Sequence, residues 1–540
     1  MHPVKAATLT FLFGLLAFSW RIGEAPLAGT EGHRAIVAHQ MVESGEWLVP
    51  KLYEVVYLRK PPLIYWLQAA AETVAGEAAE WVWRMPSVLA AAGTAAWMAW
   101  LAGMWFGRRA ALFAGIATVS LVAMWSQNRA ADMDAVNTLL SLVAAGCLLD
   151  ALYRPSSRRV NFRWLVAALA FGGALLTKGP ACLPVVLGGL AGASVMNRDR
   201  AWRSVRAWAS LAGGLVLFLL WVYLVKRRLT AAGIALDDSG VEEALQRLTI
   251  GSLKTLLEAV SLPIQLVAMA MPVSWALFLT WRRSKRQDLT GVRLKAVYGA
   301  IFGAMFIGVV SGMTNPRYAY GLFPWFAVLA GAWFSLQSDW NVRPVRRLSI
   351  AALSLLGLAG TILAIVALHK AGGGMPDVAL AGVLSLVLWV WGVRRGQSGP
   401  SPAMGWIAAG IILSMAVSFA GYKNIERKDR SGYRAAMELR RLVGEGATIH
   451  AAHMIMTHPE MFYYSGLTIE RYLFQDRPER RDDVPEGWNV FLNREWTALS
   501  EGDLSGFSRV TNLPTHVHGT VLAWYRSPST GTLASPPPAP

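Results

Sequence analysis

The sequence predicts a mainly α-helical, polytopic membrane protein with a small soluble α/β domain after its last apolar segment. Three observations predict this class. The 540 residues are 54% hydrophobic and only 16% charged, where a soluble globular protein carries about 25% charged residues. Apolar runs approaching the roughly 20 residues needed to cross a hydrocarbon core recur along the chain. Tryptophan, which favours the membrane–water interface, occurs 24 times.

Apolar runs near 5–22, 83–106, 110–126, 134–153, 163–178, 180–196, 207–225, 259–281, 296–313, 319–336, 349–368, 377–393 and 403–421 predict about thirteen spans. No small-residue cleavage site follows the first run, and "SWRIGEAP" continues the chain, so it reads as a span and not as a signal peptide. The net charge of +17 (51 Lys and Arg against 34 Asp and Glu) collects in short loops between spans: "GRRA", "RPSSRRVNFR", "NRDRAWRSVR", "RRSKRQDLTGVRLK", "NVRPVRRLS" and "VRRGQ". All six fall on one side, which the positive-inside rule makes cytoplasmic. The N-terminus is then cytoplasmic and the C-terminal domain lies outside. Topology accounts for the basic excess, so no nucleic-acid partner is expected. Cys147 and Cys182 both lie inside predicted spans, which argues against a disulfide framework.

The opposite face carries the long or chemically unusual segments: 23–82, "SQNRAADMD", "TKGP", 226–258, "TNPRY" and everything after about 422. Lys226, Arg227 and Arg228 break the positive-inside pattern there. Either the span ends later or those cations have an anionic partner. The following "LTAAGIALDDSGVEEALQRLTIGSLKTLLEAV" reads as an amphipathic helix on the membrane surface. Residues 1–422 form the membrane domain. Residues 423–526 read as a soluble α/β domain, with strands in "ATIHAAHMIM", "WNVFLNREW" and "GTVLAWYRS" and a short helix in "HPEMFYYSGL". The Pro/Ser-rich 527–540 reads as a disordered tail.

Ionisable groups beside spans are costly to place and are functional candidates. Five places qualify. In the first loop, Glu31, His33 and Arg34 precede Ile36, Val37, Met41 and Val42 at helical spacing. That stretch reads either as an interfacial amphipathic helix or as part of a site. In "YLRKPPLIYW", two prolines stop any helix through Arg59 and Lys60, close to Tyr57. These cations suit either lipid headgroups in general or one particular phosphate. In "NRAADMDAVNTLL", Asp134 is explained as a helix cap, but Asp132 and Arg129 beside it are not. Paired acids at a span mouth suit a general base or a metal clamp. In "LLTKGPACLP", Lys178 and the next helix's free amides make an anion site, or the lysine merely snorkels. In "TNPRYAYGLFPW", Arg317 and Tyr318 open a further span. No P-loop or dinucleotide fingerprint accompanies these groups, so a lipid-linked phosphate donor suits the outer face better than a soluble nucleotide.

Read in order, "TE" at Thr30 and Glu31, "MVESGEWLVP" at 41–50, "RKPPLIYW" at 59–66, Asp134, "TKGP" at 177–180 and "PRY" at 316–318 resemble the bacterial protein-mannosyltransferase-like membrane glycosyltransferases. That family includes the aminoarabinose transferases that modify lipid A. The resemblance covers roughly 30–420. It implies a GT-C fold and an inverting hexosyl or pentosyl transferase in the bacterial inner membrane. It also implies a polyprenyl-phosphate-linked sugar as donor and a lipid A-like lipid, a glycan or a protein as periplasmic acceptor. Membrane lipids and a monomeric state complete the expected partners. By resemblance, Lys60 lies at the donor phosphate with Arg59, Lys178, Arg317 and Tyr318. Glu31 and Asp134 are the groups that would activate the acceptor, and Thr30, His33, Arg34, Tyr57, Asp132 and Arg129 are further substrate-site candidates. The sequence departs from the family twice. Thr30 stands where an acid is usual, so a base in that loop must be Glu31 unless Asp134 takes the role. Arg59 stands where a glutamate is frequent, which weakens the family's case for a divalent metal; no other cofactor is required. The alternative function is transport or flipping of a lipid-linked sugar, which calls for charges near the bilayer midplane. A third reading is a binding or scaffold protein that has lost catalysis.

Overall fold

The structure, a computed structural model, describes residues 3–53, 55–155, 159–234, 253–286, 291–310, 316–335, 343–397, 403–451, 458–471, 486–492, 507–513 and 520–525. It is mainly helical. The helices α1 (Pro3–Ser19), α2 (Glu31–Ser44), α3 (Leu63–Ala75), α4 (Glu80–Phe106), α5 (Arg108–Val119), α6 (Val122–Asn128), α7 (Asp134–Tyr153), α8 (Val160–Lys178), α9 (Leu183–Asn197) and α10 (Val205–Ala231) follow in order. Further long helices occupy Val292–Val310, Arg343–Lys370, Pro376–Gln397 and Ala403–Arg430.

Among the described residues, eight helical segments are long and apolar enough to cross a membrane, or nine if α5 and α6, bent by 66° at their junction, count as one. The helices at Pro3–Ser19 and Ala319–Ser335 are apolar but shorter. Among the described residues, each apolar run of the sequence lies largely on helix; 110–126 is interrupted by the α5–α6 bend, 259–281 by the break between the Leu253–Met269 and Ala276–Arg286 helices, and 180–196 and 319–336 begin on 3₁₀ turns. The start of α7 meets the end of α8 through Asp134 and Lys178, and the end of α7 meets the start of α8 through Asp150 and Arg163, so these two helices run antiparallel, with Arg317 joining the Asp134 end.

Two helices run past the expected span edges. The α10 helix runs on to Ala231, so Lys226, Arg227 and Arg228 form its last turns. Arg228 also finds an anion, Glu46 of the first loop, at 3.4 Å. The Ala403–Arg430 helix passes unbroken through 423, where the composition changes. Residues 235–252, most of the expected surface helix, and the 527–540 tail lie outside the described residues.

Glycine pairing sets the spacing of the helices that hold the site. The α9 helix and the Val292–Val310 helix pack along each other more extensively than any other described pair. Each carries two glycines four residues apart, Gly188 and Gly192 facing Gly299 and Gly303. A Cβ on Gly192 would lie 2.0 Å from the Gly299 carbonyl oxygen, and one on Gly303 would lie 2.0 Å from that of Gly188. Such contacts allow the close backbone approach typical of small-residue crossings in membranes. Gly192→Val is therefore expected to lower the melting temperature of the detergent-solubilised protein sharply. Gly189→Ala, whose Cβ would meet only the methyls of Ala145 and Ala300 at 3.8 and 3.9 Å, is expected to melt like the wild type. Equal melting of the two variants would remove this crossing from the account.

The C-terminal residues form a five-stranded sheet in the order β4-β3-β5-β7-β6, from β3 (Thr448–Ala451), β4 (Thr468–Arg471), β5 (Gly487–Leu492), β6 (Phe507–Leu513) and β7 (Thr520–Tyr525). The β4, β3 and β5 strands are parallel, while β7 and β6 add antiparallel. Its helix Pro459–Ser465 docks on the first loop. The Tyr464 hydroxyl donates to Glu80 and accepts the Leu27 N–H. The Tyr53 hydroxyl donates to the Pro459 carbonyl. A Cβ on Gly32 would collide with Glu460, 2.8 Å away, so α2 sits directly against this helix.

Candidate active site

The stretch from Asn128 to Asp134 turns the chain from α6 into α7 and presents two buried carboxylates. Asp132 accepts the Met133 N–H on Oδ1 at 2.7 Å. Its Oδ2 accepts the Thr30 hydroxyl at 2.6 Å and Arg317 Nη2 at 2.5 Å. Arg34 Nε stands 3.7 Å from Oδ1. Asp134, the first residue of α7, is not spent on capping: its two oxygens take Lys178 Nζ and Arg317 Nε. Arg317 also donates to Gln127 at 3.1 Å.

Each partner is delivered by a local rule. Lys178 ends α8 because Gly179 follows with φ +59, a conformation that suits glycine. A cation at a helix C-terminus is also favoured by the helix dipole. Arg317 rides on the 3₁₀ turn Pro316–Leu322, just beyond the helix whose glycines cross α9. The α9–292–310 crossing thus holds the Lys178 and Arg317 elements at one mutual distance. Arg34, on the buried face of α2, donates to the Tyr57 hydroxyl at 3.3 Å, and His33 faces the Tyr57 ring at a 6.0 Å centroid distance. Gly45 closes α2 in the left-handed region, returning its N–H to the Met41 carbonyl, which explains the glycine of "SGEW".

The segment with Arg59 and Lys60 reaches the same place. Tyr57, Ile64 and Tyr65 pack in one apolar cluster with Met133 and Val136 of the acidic turn and α7. Between them Lys60 is half-buried and Arg59 exposed, and Pro62 starts α3. Asp132 and Asp134 are almost fully buried, while the Arg317 side chain remains 34% exposed and forms the open lip of the cluster.

Electrostatically the cluster has net charge +1, from Arg34, Lys178 and Arg317 against Asp132 and Asp134. Burial would push the Asp132 carboxyl up, but the Arg34 and Arg317 guanidiniums outweigh it and hold it at about 2. Lys60 and Arg59 lie on the chain segment between Tyr57 and Ile64, both of which pack with Met133. A divalent cation fits poorly. The carboxylates are already occupied by cations, Arg59 replaces the glutamate, and among the described residues no three His, Cys, Asp or Glu side chains gather as a ligand set.

Two expected members stand elsewhere. Glu31 is almost fully buried and held by other partners. Its Oε1 and Oε2 accept Arg84 Nε and Nη2 at 2.9 and 3.0 Å, Ala131 and Ala28 donate their N–H groups, and Arg427 lies 3.5 Å away. Burial raises the Glu31 carboxyl, yet Arg427 and Arg84 together bring it down to about 2. Such a carboxylate is a weak base, and it braces the acidic turn from behind through the Ala131 N–H. Arg129 donates to the carbonyls of Phe18 and Trp20 at 2.7 and 2.6 Å, so it ties the end of α1 to the turn and does not face the carboxylates. The Tyr318 side chain lies outside the described residues. Gln127, Tyr65, Arg84 and Arg427 escaped sequence reading. Only Arg84, a charge inside "EWVWRMPSV", left a visible signal there.

Residues 59–223 match the family described as dolichyl-phosphate-mannose-protein mannosyltransferase. The undecaprenyl phosphate-alpha-4-amino-4-deoxy-L-arabinose arabinosyl transferase of Pectobacterium atrosepticum is 28% identical over 189 residues, 34% of each chain. That of Pseudomonas aeruginosa UCBPP-PA14 is 31% identical over 206 residues, 37% of this chain and 36% of its own. The matched stretch thus spans about a third of the length of these relatives. The fold is shared throughout. The apo crystal structure of ArnT from Cupriavidus metallidurans superposes with a TM-score of 0.71 at 18% identity, covering 96% of this chain and 97% of that one. The same ArnT bound to undecaprenyl phosphate gives 0.70 at 18% identity and 99% coverage of both. The family match includes the "KPPLIYW" stretch at 60–66, and the ArnT structures share the expected fold.

Proposed function

We propose that this chain is a polyprenyl-phosphate-dependent glycosyltransferase whose reaction centre is the cluster of Asp132, Asp134, Lys178, Arg317 and the Lys60 segment. The single observation that carries this reading is the Asp134 carboxylate held between two cations at one end of a bundle with the ArnT fold. By the basic loops at the other end, the site end is periplasmic and the N-terminus cytoplasmic.

In this reading the donor's phosphate approaches Lys60 and draws Lys178 and Arg317 away from Asp134. An acceptor oxygen then attacks the anomeric carbon. The bond from that carbon to the phosphate oxygen breaks, and its electron pair stays with the phosphate, which leaves with one more negative charge. The cations offset that charge as it develops. If the acceptor is a hydroxyl, its proton passes to the released Asp134 carboxylate; a phosphate acceptor needs no such transfer. Asp132 keeps Arg317 oriented through the exchange, and Thr30 holds Asp132 in place as a hydrogen-bond donor. In-line attack inverts the anomeric centre. A lipid A-like lipid is the acceptor class that the similarity to aminoarabinose transferases favours.

The test incubates the purified protein with candidate polyprenyl-phosphate sugars and follows released polyprenyl phosphate. Wild type is expected to turn over, and Lys60→Ala to lose about 10²-fold or more. Equal turnover by Lys60→Ala would take the donor phosphate away from that lysine. The transporter alternative wins if no donor yields product while lipid-linked sugar crosses vesicles containing the protein. Charges gathered at span mouths, with none of these pairs near mid-helix, speak against it.

A further inference from the structure

At the opposite end of α9 a cavity of about 440 Å³ opens between the end of α9 and the start of the Val292–Val310 helix. Its walls include Arg198, Lys295, Trp281, Tyr298 and Leu294. Arg198 caps α9 and Lys295 lies in the first turn of its partner helix. The cavity is therefore about 22 Å from the Lys178 end of α9, at 1.5 Å per residue over 15 residues. We propose that this cavity binds the phosphate headgroup of an anionic phospholipid in the leaflet opposite the reaction centre.

The two cations converge on one space from two helices that their glycines lock together. The described ion pairs of this end, Asp150 with Arg163 and Arg154, leave Arg198 and Lys295 out. Among the described residues the nearest carboxylate in sequence, Asp199, accepts the Ala201 N–H at 2.9 Å. Beneath the cations the wall is aromatic. Tyr298 is buried with its hydroxyl donating to the Leu277 carbonyl at 2.8 Å, and Trp281 stands edge-on to it at 5.2 Å while still 39% exposed. A basic pocket between spans with an interfacial tryptophan suits a headgroup at the surface and an acyl chain below. Arg198 is also held at φ +55, in the left-handed region. That conformation is unusual for a non-glycine residue, and it places the cation here at a backbone cost.

The geometry supplies its own test. Arg198→Gly removes the charge while suiting the backbone, and Lys295→Met keeps the apolar stem. The full-length protein is reconstituted in nanodiscs of phosphatidylcholine with or without phosphatidylglycerol, and its melting temperature is read together with retained lipid by native mass spectrometry. Wild type is expected to melt higher with phosphatidylglycerol and to retain it. The double variant is expected to lose at least half of both effects, Lys295→Arg to keep them, and Arg394→Gln, an exposed cation at the same end, to leave them unchanged. The proposal fails if the double variant responds like wild type, or if phosphatidylcholine alone is retained equally. It also fails if inorganic phosphate reproduces the shift, which would make the site one for free anions.

Discussion

Replacing Glu31 with glutamine is expected to lower the stability of the protein by about 3–5 kcal/mol, while each molecule that stays folded keeps its turnover. Arg84 is fully buried and already donates to the carbonyls of Ile22, Ala25 and Pro26. Its remaining charge is balanced by Glu31, as is part of that of Arg427. A glutamine leaves those guanidiniums buried without a counter-charge. The linkage has a definite sign. The Glu31 carboxyl falls from 4.5 to about 2 on folding, a shift worth about 3 kcal/mol in order of magnitude. A depressed carboxyl contributes stability that is fully present above its unfolded value and is lost as pH falls through the folded one. Wild-type melting temperature should therefore decline between pH 4.5 and about 2 more steeply than that of Glu31→Gln. A variant that melts like wild type but has lost turnover would return Glu31 to the role of catalytic base.

Asp134→Asn is expected to do the opposite: a folded protein whose turnover drops by about 10²–10⁴-fold, the range for loss of a positioned acid or base. A second readout separates chemistry from damage. With Asp134 neutral, Lys178 and Arg317 lose their competing carboxylate and the cluster's net charge rises from +1 to +2. Polyprenyl phosphate should then bind more tightly, by about tenfold for one added favourable charge at the rim. Misfolding lowers turnover and binding together; loss of the carboxylate alone moves them in opposite directions. Weaker binding by a well-folded Asp134→Asn would overturn the proposed exchange of Asp134 for phosphate.

Much of the fold was legible because membrane spans announce themselves locally, by length and apolarity. The site was legible in part for the same reason: Asp132, Asp134, Lys178 and Arg317 are charges at the ends of apolar runs, where few charges belong. What local reading missed depends on distance in sequence or on helical phase. Thr30 and Glu31 are neighbours at the start of α2, but one residue of helix turns the chain by about 100°. Thr30 consequently meets Asp132 while Glu31 points to Arg84 behind the turn. Arg84 is 53 residues from Glu31 and Arg427 nearly 400, and no periodicity marks such pairs. The composition changes near 423, while the helix there continues to Arg430. Gly188, Gly192, Gly299 and Gly303 were visible as letters, but only the crossing reveals that two of them face the other two.

The central claim is that the chemistry belongs to the Asp132–Asp134 cluster and that Glu31 supports it from outside. The most direct measurement compares initial rates of polyprenyl phosphate release by wild type, Glu31→Gln and Asp134→Asn. Each is assayed well below its own melting temperature and normalised to folded protein. Near wild-type rates are expected for Glu31→Gln and almost none for Asp134→Asn. The reverse pattern, an inactive but folded Glu31→Gln beside an active Asp134→Asn, would contradict it.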